Sequence, residues 1–332
     1  MFPNFQPRHF RKKLLAWYGA HARALPWRES RDPYSVWVSE VMLQQTRVAA
    51  VIDHYHEFLR RFPTVQKLAG AREASVLAAW SGLGYYRRAR MMHAAAKVIA
   101  GEYEGKFPVS SEGWLDLPGI GRYTASAIAS IAFDEPTAVV DGNVERVLQR
   151  LLGKRLAGEE LWEAANARLD ARRPGDFNQA MMELGAVVCT PRSPGCLTCP
   201  VVELCATRGE LAATNKPPPQ RKREIHYALD VREKARGREV FLVQRARDAS
   251  LMAGMWELPE IAGGNGAGSP SFSVRHSITI TDYDVRVWRT AAPIGLSGKW
   301  IPAERLKRAA LTGLARKILR RAKVIVLPIH VH

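Results

Sequence analysis

A chain of 332 residues exceeds what one hydrophobic core comfortably serves and matches two domains. Apolar residues make up 47% and charged residues 24%, the balance of a globular protein, and no apolar run is long enough to span a bilayer, which excludes the membrane-embedded classes. Forty-nine Lys and Arg against 32 Asp and Glu leave a formal charge of +17, more than solubility requires, so a polyanionic partner is expected.

The N-terminal stretch, with Arg11, Lys12 and Lys13 near its start, lacks the apolar core and cleavage site of a secretory signal, and a cytoplasmic placement is expected. From about Phe5 to Glu210 apolar residues recur at three- and four-residue steps with Gly or Pro between the runs, the pattern of an all-α region. Asp32-Pro33 reads as an N-cap followed by a first-turn proline, opening a helix that carries Val36, Trp37, Val41 and Met42. Glu40 lies on that helix beside the apolar stripe, where desolvation raises a carboxyl pKa; a surface helix glutamate is the bland alternative. Gln44-Gln45-Thr46 interrupts the pattern before a second run with Val48, Val51, Ile52, Tyr55 and Phe58, and a break there exposes the three polar side chains.

Further along, Leu117-Pro118-Gly119-Ile120-Gly121-Arg122-Tyr123 has the form of a hairpin between helices, the second covering Ala125–Ala132. Its glycines, Gly119 and Gly121, permit a tight turn, and free N–H groups at the start of the next helix bind phosphate without reading sequence. Asp141, after Val139-Val140, precedes a helix carrying Val144, Val147 and Leu148, so capping is its plain reading and is compatible with chemistry. Two carboxyl groups of different pKa are what cleavage of a glycosidic bond needs, one to protonate the leaving group and one to steady the sugar cation.

All four cysteines, Cys189, Cys196, Cys199 and Cys205, fall within 17 residues with the spacing C-x(6)-C-x(2)-C-x(5)-C. Without an export signal a disulfide pair is the weaker reading, and four thiolates suit either zinc or a four-iron cluster. Asn215–Arg223 carries three consecutive prolines and cannot form helix or central strand, which makes 215–224 a linker. Beyond it the pattern turns to strands at Ile225–Val231, Val240–Gln244 and Asp284–Trp288, with a turn at Lys234–Arg238 and an amphipathic helix at Glu304–Arg321. The second domain, 225–332, is therefore α+β. Gly263–Pro270 reads as a Gly-rich loop rather than a phosphate cradle.

These motifs together resemble the MutY-type adenine DNA glycosylases of the endonuclease III, helix-hairpin-helix superfamily. The cysteine spacing is similar to that family's [4Fe–4S] motif, Val38-Ser39-Glu40-Val41-Met42-Leu43-Gln44-Gln45-Thr46 to its catalytic segment, and Val140-Asp141-Gly142-Asn143-Val144 to the segment with its invariant aspartate. The resemblance implies a multidomain chain: an all-α domain at 1–214 with the hairpin near 115–132 and one [4Fe–4S] cluster on the 189–205 loop, then a Nudix-like domain that reads the opposite base. It implies hydrolysis of adenine mispaired with 8-oxoguanine or guanine in double-stranded DNA, by a monomer that flips the base. Glu40 and Asp141 are then the catalytic pair, with Tyr123 and Asn143 positioning the sugar and Asp141. Tyr123 stands where the lyase branch has a lysine and cannot form a Schiff base, so the enzyme is expected to be monofunctional.

The same resemblance points to Trp27, Arg28 and Gln179 as the adenine pocket, with Trp27 equally readable as core. Gln45 and Tyr85, the latter in Gly82-Leu83-Gly84-Tyr85-Tyr86, resemble its wedge residues, and Gln44 and Thr46 flank the first of them. Arg192 on the cysteine loop is a DNA-backbone contact or a solvated arginine. In the second domain Leu251-Met252-Ala253-Gly254-Met255-Trp256-Glu257-Leu258-Pro259 carries the resemblance, while the diphosphate-hydrolase box is missing. The family's Phe-Ser-His loop is replaced by Ser277-Ile278-Thr279-Ile280, leaving Ser277 and Thr279 as candidate donors to the opposite base.

Overall fold

The computed structural model describes residues 6–211, 221–235, 237–249, 251–262, 269–278, 281–306 and 308–325. Two compact units emerge, one formed by 1–69 and 94–215 and the other by 70–93 and 216–332. Within the span 1–214 expected as the all-α domain, the 24 residues 70–93 pack with the C-terminal part. Among the described residues no helix is long and apolar enough to cross a membrane.

In the first unit come α1 (Pro7–His21), α2 (Pro33–Leu43), α3 (Val48–Arg61) and α4 (Val65–Ala69). α5 (Glu73–Ala79) belongs to the second unit, and the division falls inside α6 (Arg87–Gly101). The first unit continues with α7 (Ser111–Leu115), α8 (Arg122–Phe133), α9 (Gly142–Leu152), α10 (Gly158–Asn166) and α11 (Pro174–Val187). The helix starts follow capping chemistry. Asp32 accepts from the Ser35 N–H at 2.9 Å with Pro33 in the first turn, and Ser110 accepts from Gly113. Between α2 and α3 the chain breaks at Gln45, whose φ of 56° no helix tolerates.

Two apolar groups hold this unit. Phe10 and Leu14 of α1, Val147 and Leu148 of α9, and Phe177 and Leu184 of α11 share one core. An aromatic group ties α2 to the hairpin: Trp37 lies 5.8 Å from Trp114, on which Phe107 stacks at the same centroid distance. Trp37 and Trp114 are fully buried, so α2 and α7 are fixed by large apolar surfaces.

The second unit has strands β1 (Arg221–Ala228), β2 (Val231–Lys234), β3 (Gly237–Gln244), β4 (Trp256–Glu257), β5 (Phe272–Ile278), β6 (Thr281–Trp288) and β7 (Lys299–Pro302), with helices α12 (Ala303–Leu306) and α13 (Gly313–Arg321). One sheet runs β1-β6-β5, with β1 parallel to β6; the other runs β2-β3-β4, with β7 also on β3. The α+β reading holds, with different limits. β1 starts at Arg221 inside the expected linker, because its exposed basic residues Arg221, Lys222 and Arg223 pair with Thr281, Asp282 and Tyr283. At the turn expected over Lys234–Arg238, Lys234 of β2 pairs with Gly237 of β3 in an antiparallel ladder. The helix expected over Glu304–Arg321 is interrupted where Leu311 bridges Trp256 and Thr312 starts a new cap. Residues 215–220 of the linker and 263–268 of the Gly-rich loop lie outside the described residues.

Candidate active site

Glu40, on the inner face of α2, is 5% exposed. The Tyr123 hydroxyl, from the first turn of α8, donates to its Oε2 at 2.6 Å. Burial pushes the Glu40 carboxyl up from 4.5 to about 7; the Tyr123 hydrogen bond and Arg28 pull it down, and Asp141 pushes it further up. Tyr123 itself is raised well above 10 by burial and by the carboxylates of Glu40 and Asp141. One phenol thus senses both carboxyl groups, and the two residues 101 positions apart meet in one site.

Asp141 caps α9. Its Oδ1 accepts from the N–H groups of Asn143 at 2.9 Å and Val144 at 2.7 Å, and its Oδ2 from the Asn143 amide at 2.9 Å. Burial raises its pKa against those hydrogen bonds and the pull of Arg146. The capping reading and the catalytic reading are therefore both satisfied by one side chain: the cap fixes the rotamer, and the helix N-terminus favours the anion. A protonated glutamic acid beside a clamped aspartate can donate a proton and steady a developing cation.

Several supports escaped sequence reasoning because each is an ordinary interior residue of a helix. Asn178, 2% exposed on α11, accepts from the Val139 N–H at 3.1 Å and donates to Thr137 O and Ser130 Oγ at 2.9 Å, pinning the extended segment that delivers Asp141. Arg146 donates to Asn143 Oδ1 at 2.8 Å, to Gly185 O at 2.7 Å and to Cys189 O at 2.7 Å, joining the Asp141 cap to the cysteine loop. Gly185 is where α11 meets Asn143; an added Cβ would stand 2.6 Å from the Asn143 Cβ. A fully buried Glu183 receives Arg23 Nε at 2.7 Å and Arg28 Nη2 at 2.9 Å. Burial would raise its carboxyl, but the hydrogen bonds from Arg23 and Arg28 outweigh this and hold it at about 2. The visible signal was the Phe177-Asn178-Gln179 motif, four residues upstream of Met181-Met182-Glu183.

Arg28 is therefore locked against Glu183 and also lies 5.4 Å over the Tyr18 ring, while its charge reaches Glu40. Trp27 is 7% exposed and packs edge-on against Tyr55 at 5.5 Å. Gln179 is half-buried on α11. Gln44, expected to be exposed for DNA, is half-buried and donates to Thr124 Oγ1 at 3.0 Å, bracing α8; Thr46 is half-buried, and Gln45 is the exposed member of the three. Gly119 has φ of 77°, a conformation that selects glycine, and Gly121 starts α8 without a side-chain cap.

The four cysteines are half-buried, and the Cys199 thiol is pushed up to about 11 by burial, with the other three cysteines adding to the shift against a backbone bond at Val201. Arg150 donates to Cys189 Sγ at 3.3 Å and to Thr190 O at 2.7 Å, and the Arg208 N–H to Cys205 Sγ at 3.4 Å. Among the described residues no set of three or more Cys, His, Asp or Glu is arranged to hold a metal ion as it stands. Arg192 is exposed on the loop. Tyr85 and Ser277 belong to the second unit. Tyr85 is 46% exposed, and Ser277 donates to Asp282 Oδ1, while Thr279 lies outside the described residues.

A helical unit with a glycine hairpin next to a buried glutamate and a half-buried aspartate is the arrangement of a base-excision DNA glycosylase fold, and residues 38–168 match the family of HhH-GPD superfamily base excision DNA repair proteins. The adenine DNA glycosylase of Mus musculus is 40% identical over 311 residues, covering 76% of this chain and 60% of that protein. That of Schizosaccharomyces pombe is 33% identical over 326 residues, covering 78% and 71%. A solved thermostable thymine-DNA glycosylase superposes with a TM-score of 0.58 at 29% identity, covering 61% of this chain and 96% of that one. The chain belongs to the adenine DNA glycosylase family. It spans 60% of the length of the mouse relative and 57% of the human one.

Proposed function

We propose that this chain hydrolyses the N-glycosidic bond of adenine mispaired with 8-oxoguanine or guanine in duplex DNA. The observation that carries the reading is Glu40, a buried carboxyl with a pKa of about 7 held by Tyr123 beside Asp141. Adenine leaves poorly as an anion. Protonated Glu40 gives its proton to the extruded ring, the C1′–N bond breaks, and Asp141 steadies the sugar cation until water adds to C1′. Glu40, now ionised, takes the proton of that water. Tyr123 holds Glu40 and carries no amine, so strand nicking through a Schiff base is not part of the reaction.

The net charge of +17 and the open N-terminus of α8 after Gly121 support phosphate binding. Gln45 and Tyr85, both exposed and both at positive φ, fit the role of side chains that fill the gap left by a flipped base. The second unit, Nudix-like by its sequence, then reads the opposite base, with Ser277 and Thr279 as donors. Cys189, Cys196, Cys199 and Cys205 fit a [4Fe–4S] cluster by donor chemistry: four sulfurs of one loop, half-buried and receiving N–H bonds from Arg150 and Arg208. When bound, the cluster supplies a covalent tie that orders the loop on which Arg192 is presented.

Single-turnover release of adenine from duplexes with A opposite 8-oxoguanine and A opposite guanine, with borohydride trapping alongside, tests the reading. Faster release from the first duplex, no trapped adduct and loss of release in Glu40→Gln are expected. Efficient trapping, or equal release by Glu40→Gln, would overturn it.

A further inference from the structure

Residues 70–93 fold as part of the C-terminal unit, and hydrogen bonds hold them there. Ser81 Oγ donates to Leu311 O at 2.9 Å and accepts from Arg316 Nε at 3.0 Å, Tyr86 Oη donates to the same Leu311 O at 3.2 Å, and Arg90 donates to Ala253 O. Leu311 is itself fixed by its bridge to Trp256. Between Ser81 and Tyr86 the backbone turns through Gly82 (φ 118°), Gly84 (φ 71°) and Tyr85 (φ 48°). A tyrosine at positive φ is strained, and such strain persists only where the surroundings over-determine it. Its ring is also set: the Arg88 guanidinium lies 5.4 Å over it while donating to Leu83 O and Gly84 O. Tyr85 is thus an exposed aromatic side chain presented in one orientation, as a base-stacking residue must be.

Arg316 stands out among these anchors. It lies on the flank of α13, whose Ala315, Ile318 and Leu319 fill the core, and its Nη2 is buried with no partner among the described residues. A half-buried guanidinium with one buried, unmatched nitrogen costs stability relative to an apolar side chain of similar size. Its hydrogen bond to Ser81 is what the position gains. We propose that Arg316 is a positioning residue for the Tyr85 turn: through Ser81 and the shared Leu311 carbonyl, the C-terminal part sets the angle at which Tyr85 meets the DNA. This rests on the reading of Tyr85 as a gap-filling side chain, and it adds a mounting role to the C-terminal part that needs no contact with the opposite base.

A double-mutant cycle tests it. Single-turnover adenine release is measured for wild type, Arg316→Met, Tyr85→Ala and the double variant, with thermal melting and the fluorescence of a 2-aminopurine placed beside the target adenine. Arg316→Met is expected to slow release about tenfold and to reduce the fluorescence change on binding, and to add less than about twofold in the Tyr85→Ala background. Undiminished loss in that background, or wild-type rate and fluorescence in Arg316→Met, overturns the proposal. Should Arg316→Met fold poorly, Ser81→Ala and Tyr86→Phe remove the same hydrogen bonds and carry the same expectations. If wild type releases no adenine, the glycosylase reading fails. The 2-aminopurine signal still separates the cases, since it requires stacking and no chemistry.

Discussion

At the scale of single residues, the chemistry depends on a carboxyl that is hard to ionise. Glu40 is raised from 4.5 to about 7, first by burial. Because its folded pKa lies above the unfolded one, its contribution favours folding below about 4.5 and is lost as pH rises through about 7. The cost of the ionised form is on the order of 3 kcal/mol. Glu40→Gln is therefore expected to melt higher than wild type at pH 8 and about equally at pH 5 while releasing no adenine; a melting difference that does not grow with pH would contradict the assigned burial. Glu183 is the counterpart, held at about 2 by Arg23 and Arg28 after they overcome its burial. Glu183→Gln leaves two arginines unmatched and is expected to cost about 3 kcal/mol in a denaturant melt. It also leaves the Arg28 charge less balanced, which moves the Glu40 titration, and the falling limb of the pH–rate profile, to lower pH.

At the scale of elements, capping and apolar periodicity made much of the first unit legible. Asp32-Pro33 marked the start of α2, and the Gln44–Thr46 break and the glycine hairpin fell where the residues said. Glu40 and Asp141 were legible because carboxyl groups beside apolar stripes are unusual. Asn178, Arg146, Gly185 and Glu183 were not, since the partners that matter lie 39 to 160 positions away, and nothing local marks which face they turn. Gln44 turned inward for the same reason: its partner Thr124 is 80 residues on. In the second unit, strand limits shifted because pairing, as of Arg221 with Thr281, overrode local composition. The double duty of Asp141 gives a prediction at this scale. Asparagine caps helices about as well as aspartate, so Asp141→Asn is expected to melt within about 1 kcal/mol of wild type yet lose at least about a hundredfold in adenine release. Unfolding of the variant, or retained activity, would separate the two roles wrongly assigned to one side chain.

For the whole molecule, the charge and the division of the chain matter most. A formal charge of +17, most of it on the unit formed by 70–93 and 216–332, predicts binding to duplex DNA dominated by phosphate neutralisation. With about six phosphates engaged, the logarithm of the affinity falls with the logarithm of salt concentration at a slope of about −5. A fluorescence titration at several salt concentrations checks this, and a slope near zero would leave the charge without its partner. The grouping of residues 70–93 with the C-terminal part was invisible in the sequence, because the segment is helical like its neighbours and its anchors lie 163 to 235 residues away. The most direct test of the account is the pH dependence of single-turnover adenine release opposite 8-oxoguanine. A rate that falls as pH rises through about 7, with the fall absent and the rate abolished in Glu40→Gln, is predicted. A rate independent of pH between 6 and 9 would show that the buried glutamic acid is not the proton donor.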